Sequence, residues 1–301
     1  MARPKFQLDG VEICSTGMSI RAYRAAPCQY LVPVTPENKK QALKDFKKLG
    51  ENGGLLVSGM AKLDFLQDFP SLRYLDIRDQ KRFKPDQLKD LDNLRGLQIE
   101  DPGAGIDFSW FPELETYAGG WHADHRNLDQ ARELRSLSLR RFNPSSQNLA
   151  DLACITRLEE LALVRTGITS LDGVETLEDL RYLDIAYATK LESLDAFAAP
   201  HVDLRELSIE SVKKIASYKP LAAIHRLRRL RLSSCAPMAD LQWTRGMDHL
   251  DFFSFVETNV EDGDLTPLLN LPRLRYAGTM DKRHYNIKFD DLNQRLQQQA
   301  D

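Results

Sequence analysis

One six-residue phrase governs this chain. Leu158-Glu-Glu-Leu161-Ala-Leu163 carries leucines at its first, fourth and sixth places, and Leu180-Arg-Tyr-Leu183-Asp-Ile185 repeats it 22 residues later. Residues two apart in a strand point to the same side, so Leu161 and Leu163 share a face. Between the copies Ile168, Leu171, Val174 and Leu177 recur at every third position, which suits a turn and a tight helix. The phrase returns at Leu72, Leu94, Leu134, Leu204 and Leu227, and in degenerate form at Leu114, Met247 and Leu274. That makes ten copies, with steps of 22, 20, 20, 24, 22, 24, 23, 20 and 27 residues. One such unit cannot bury its apolar side alone. Stacked copies can, so the expected product is a solenoid with a continuous core.

The pattern resembles the leucine-rich repeat, L-x-x-L-x-L-x-x-N/C-x-L over roughly 20–29 residues. The short repeats with an apolar x-x-I-x-x-L return resemble the subclass seen in internalins and phosphatase-regulating proteins. The resemblance covers 72–280, and 50–71 more weakly. It implies an α/β solenoid with a curved parallel sheet on the concave face and short helices or 3-10 turns and loops on the convex face. The Asn position of the pattern holds Thr166 in one repeat and Cys235 in another, so a regular Asn ladder is missing. A hydroxyl can still bond a neighbouring loop, but it lacks an amide's full set of donors and acceptors.

The expected organisation is an N-terminal hairpin and helix cap over 1–50, a solenoid over 51–284 and a C-terminal capping helix over 285–301. Phe6, Leu8, Val11 and Ile13 flank Asp9-Gly10, a two-residue turn signal. Tyr30–Val34 reads as a strand that Pro33 confines to an edge. Thr35 and Pro36 suit a helix start, Ala42, Leu43, Phe46 and Leu49 fall on one face, and Gly50 suits the end. Phe289, Leu292 and Leu296 give the closing helix its apolar side. The repeat from Leu114 breaks the rule most, with Tyr117 and Gly119 in place of two aliphatics.

A net charge of -3 predicts neither nucleic acid nor an anionic membrane as an obligatory partner. No apolar h-region follows the N-terminus, and no apolar run approaches the roughly 18 residues a membrane helix needs. Cys14, Cys28, Cys154 and Cys235 form no C-x-x-C and read as reduced thiols in a cytoplasm. The chain has no G-x-x-x-x-G-K-[ST], H-E-x-x-H or G-x-S-x-G, and its ends leave no room for a catalytic domain of roughly 100–150 residues. His122, Asp124 and His125 offer two imidazoles and a carboxylate, but no distant third ligand goes with them. The reading is a polar loop, with no metal, no cofactor and no catalysis.

The resemblance implies binding through the concave face, where the x residues of x-L-x-L-x would stand in columns. The candidates from the first half are Tyr74, Asp76, Arg78, Trp121 and Arg140. Tyr182, Asp184, Tyr187, Glu206, Glu210, Arg229 and Arg231 follow, and then His249, Asp251, Phe253 and Tyr276. Tyr74, Trp121, Tyr182, Tyr187, Phe253 and Tyr276 are expected to be exposed, and Tyr, Trp and Arg most often anchor interfaces. Charges of both signs in the same columns suit a folded protein partner, met by an inhibitor, an immunity-type protein or an adaptor. The alternative is a nucleic-acid or phospholigand binder using Arg226, Arg228, Arg229 and Arg231. Net charge and the lack of a wider basic field oppose it.

Overall fold

The computed structural model describes residues 30–49, 53–60, 62–78, 84–199 and 203–299. The hairpin expected around Asp9-Gly10, Cys14, Cys28 and the helix end at Gly50 lie outside them. The chain divides into two compact units, 1–142 and 143–301.

The first unit contains β1 (Tyr30–Val34), α1 (Lys39–Leu49), β2 (Gly53–Ser58), β3 (Tyr74–Arg78), β4 (Gly96–Ile99), β5 (Thr116–Gly120) and β6 (Ser136–Arg140). Its strands are parallel and pair in chain order, with Val32, Leu55, Leu75, Leu97, Tyr117 and Leu137 in one register row. None of the six is more than 3% exposed, so the row is the core. Among the described residues β1 pairs only with β2, an edge position at which Pro33 is tolerated. The helix opens later than Thr35 and Pro36 suggest. Asn38 takes over the cap: its side chain accepts from the Thr35 amide at 2.8 Å, and its carbonyl accepts from Gln41 and Ala42. Ala42 and Phe46 are the buried face of α1, with the Phe46 ring edge-on to Phe69 at 5.5 Å.

The second unit contains β7 (Glu160–Val164), β8 (Tyr182–Ala186), β9 (Glu206–Glu210), β10 (Arg229–Ser233), β11 (Phe252–Ser254), β12 (Tyr276–Gly278) and α2 (Phe289–Gln298). Leu161, Leu183, Leu207, Leu230, Phe253 and Ala277 form its core row, again through parallel pairing in chain order. Each strand from β7 to β11 is followed by a return through a 3-10 turn, such as Val174–Thr176, whose flanking Leu171 and Leu177 are buried with Val174. α2 buries Leu292 and Leu296. Its Asn293 side chain accepts from the Ala277 amide at 3.0 Å and donates to the Ala277 carbonyl at 2.9 Å.

The corner after the strand is the same in six successive repeats. Arg141, Arg165, Tyr187, Ser211, Ser234 and Glu257 each hold the eighth place of their repeat with φ between 52° and 57°. This left-handed backbone takes the chain out of the sheet at about 1–2 kcal/mol per residue for a side chain with Cβ. The next place is the Asn position, and there the second unit uses smaller groups. Thr258 accepts from the Cys235 amide at 2.9 Å and donates to the Leu232 carbonyl at 2.6 Å. The Cys235 thiol donates to the Ile209 carbonyl at 3.2 Å, and burial pushes its pKa up to about 11. Hydroxyl and thiol thus bridge consecutive repeats where an amide would otherwise stand.

One frame differs from the sequence expectation. Phe252 pairs with Arg229 and Phe253 with Leu230, so the repeat begins at Leu250 rather than Met247. The steps on either side become 23 and 24 residues, in line with the other repeats.

Candidate binding face

The alternate strand positions form an outer face, and it differs between the units. In the second unit the first column is Glu160, Tyr182, Glu206, Arg229, Phe252 and Tyr276, and the second includes Asp184, Ser208, Arg231 and Ser254. Most are half-buried, with Tyr276 exposed at 39%. Glu210 is exposed, and Tyr187 reaches solvent from its left-handed corner and donates its hydroxyl to Glu210 at 3.2 Å. Acid gives way to base along the strands. Asp184 and Glu206 precede Arg229 and Arg231, and Arg229 lies 3.7 Å from Glu206. Both arginines sit over the Phe252 ring, at 4.4 and 5.1 Å from its centre. Phe252 in turn stacks on Tyr276 at 5.1 Å and 16°.

The corrected frame moves three expected site residues. Phe253 is not an exposed aromatic: it points into the core and is fully buried. His249 and Asp251 leave the columns, because their places fall to Phe252 and Ser254. Asp251 instead follows the first leucine of its repeat, the place held by Arg228 and Arg275 on either side. Sequence reasoning missed Phe252, although the paired Phe252-Phe253 allowed either frame.

In the first unit the same positions are closed. Tyr74 is 3% exposed and packs with Leu31 and Leu56, against the expectation of an exposed ring. Asp76 is fully buried, so neither residue is on the surface as the sequence reading had them. Arg78 holds the Asp76 carboxylate through two nitrogens at 2.8 to 3.2 Å. Burial raises the pKa of Asp76 against the pull of Arg78. Gln98, Thr116, Ala118, Ser136 and Ser138 are buried too.

The loop after Gly119-Gly120 keeps Ala123, Asp124 and Arg126 exposed, as a polar loop would, but folds an aromatic cluster beneath them. Tyr117 fills the core where an aliphatic would stand, and Gly119 makes room for it, since a Cβ there would lie 2.7 Å from the Tyr117 hydroxyl and 2.9 Å from the Ile99 carbonyl. His125 packs edge-on against Phe108, Tyr117 and Trp121. Its Nδ1 accepts from the Ile106 amide at 2.8 Å, so Nε2 carries the proton toward the Gly120 carbonyl at 3.2 Å. Burial pushes its pKa down to about 4, partly offset by the Gly120 carbonyl, and the ring stays neutral. Trp121 packs on Phe142 at 4.8 Å and is half-buried, as is Arg140. Among the described residues no three His, Cys, Asp or Glu side chains converge as metal ligands.

The expected basic cluster is divided by carboxylates. Arg226 pairs with Asp203 at 3.1 Å and Arg229 with Glu206. Arg228 forms no ion pair among the described residues. It lines a cleft of about 670 Å³ with Arg273, Arg275, Phe252 and Tyr276.

No protein-family model and no curated protein matches the chain. Solved structures do. An internalin, InlF from Listeria monocytogenes, is similar over 78% of this chain and 76% of its own, at TM-score 0.55 and 15% identity. The functional domain of InlJ from the same organism is similar over 82% of this chain and 51% of its own, at TM-score 0.52 and 14% identity. TLR13, solved in complex with ssRNA13, is similar over 97% of this chain and 51% of its own, at TM-score 0.52 and 15% identity. At such identities the likeness is one of fold. Aligned leucine rows, one strand and one tight return per repeat, and this shared architecture give the chain the leucine-rich-repeat fold.

Proposed function

We propose that this is a non-catalytic, cytoplasmic protein-binding module that grips one folded partner through the outer face of β8 to β10. The observation that carries this is the open, mixed-sign patch of Tyr182, Asp184, Glu206, Glu210, Arg229 and Arg231. Opposite charges arranged in order along a surface select a partner with the complementary order and repel others. Tyr and Arg at half-buried positions supply anchors that lose little freedom on binding. Among the described residues no helix is long and apolar enough to cross a membrane. A module of this kind acts as an inhibitor, an immunity-type protein or an adaptor.

The test is capture from the native cell with wild type, with a face variant carrying Asp184→Arg and Arg231→Glu, and with a control carrying Lys44→Glu on the exposed side of α1. One protein retained by wild type and control, and lost from the face variant, is the expected result. Equal retention by all three overturns the reading.

A further inference from the structure

We propose that the cleft between β10 and β12 is a nucleotide site, with the base on the Phe252–Tyr276 platform and the phosphate among Arg228, Arg273 and Arg275. This goes beyond protein recognition and does not rest on it. Phe252, covered by Arg229 and Arg231, stacks on Tyr276 at 16° and holds that ring in place, while Tyr276, met edge-on by Phe289 at 6.2 Å, is 39% exposed and offers its ring to a planar base. Phe252 and Tyr276 are the aromatic lining of the cleft; the other lining residues are Arg228, Arg229, His249, Asp251, Arg273 and Arg275.

Charge points the same way. The cleft gathers four guanidinium groups against one carboxylate, Asp251. Arg229 is already paired with Glu206. Arg228, Arg273 and Arg275 form no ion pair among the described residues, although Arg273 lies 3.3 Å from His249 Nδ1. Stacked strands repeat every ~4.8 Å, so Arg228 on one side of Asp251 and Arg275 on the other approach a single anion from two strands. Guanidinium groups bind phosphate through paired, planar N–H donors. The volume, about 670 Å³, falls within the range of small-ligand clefts. Base and phosphate could come from a free nucleotide or from single-stranded nucleic acid, and the cleft chemistry is common to both.

The experiment titrates the full chain with AMP, adenosine, inorganic phosphate, hexa-adenylate and hexaglutamate by calorimetry at low salt. AMP is expected to bind at least tenfold tighter than adenosine or phosphate, and tighter than hexaglutamate. Tyr276→Leu keeps an apolar side chain but removes the ring, and should weaken AMP about tenfold, as loss of one stacked base does. Arg273→Gln with Arg275→Gln should abolish binding. Asp251→Asn, which removes the opposing carboxylate, should tighten it, and thermal melts confirm that each variant is folded. Hexa-adenylate binding more than tenfold tighter than AMP, with steeper salt dependence, identifies a strand as the source; equal affinity identifies the free nucleotide. AMP no tighter than phosphate, hexaglutamate as tight as AMP, or no response to Tyr276→Leu and Asp251→Asn overturns the proposal.

Discussion

The outer faces of the two units are written in one repeat pattern and differ in what they do with charge. In the first unit Asp76 is fully buried against Arg78. In the second, Glu206 and Arg229 keep side-chain exposures of 20% and 37% at 3.7 Å. A carboxylate out of water is tolerated only while its partner stays, whereas a half-solvated one has water in reserve. The repeat thus fixes where the backbone goes and leaves each face to become either structure or surface.

The comparison breaks most visibly at the ion pairs. Arg78→Ala should destabilise the protein by about 3–5 kcal/mol, because the buried Asp76 carboxylate is left alone. Glu206→Ala should cost less than about 1 kcal/mol. Urea denaturation of both variants reads the gap, and equal losses would mean that the two faces are energetically alike.

The next effect is a pH dependence belonging to the first unit. His125 titrates near 4 when folded, below its free value of about 6.5. Above 6.5 both states are neutral and nothing changes. As pH falls from 6.5 toward 4 the unfolded chain takes up a proton that the folded chain refuses, so stability declines, by about 2 kcal/mol after allowance for partial exposure. His125→Phe should lose some stability at pH 7 and lack this slope. The difference between the two denaturation free energies across pH 4–7 isolates the effect from the carboxylates, and parallel curves would rule it out.

The smallest effect concerns two tyrosine hydroxyls. The Tyr117 hydroxyl is buried without a hydrogen-bond partner. Tyr117→Phe should therefore leave stability unchanged or raise it by up to about 1 kcal/mol. Tyr187→Phe removes an exposed bond to Glu210 and should lower stability by no more than about 0.5 kcal/mol. Thermal melts that show the opposite order would mean that the Tyr117 hydroxyl contributes a bond in the core that the exposed Tyr187 hydroxyl does not.

Much of the scaffold is legible in the residues, because Leu75, Leu97 and Leu137, or Leu161, Leu183, Leu207 and Leu230, can share an interior row only in one stacking. The frame near Met247 is not decided locally. Met247 and Leu250 are both buried, and both Met247-x-x-Leu-x-Phe252 and Leu250-x-x-Phe-x-Phe255 satisfy the offsets. What separates them lies eight residues on, where the Leu250 frame puts Thr258 at the bridging position. The left-handed corners leave no trace either, since Arg, Tyr, Ser and Glu have no preference for that backbone. Exposure was the least legible property. Tyr74 and Tyr182 occupy equivalent positions, yet only the first has Leu31 and Leu56 packed with it.

Asn293 has a consequence for the margin of the sheet at β12. An unpaired sheet margin is an open invitation to another chain. With its carbonyl and amino groups both turned on Ala277, one side chain occupies the donor and the acceptor that a neighbouring strand would need there. The helix that buries the last core row thus also blunts the margin beside it.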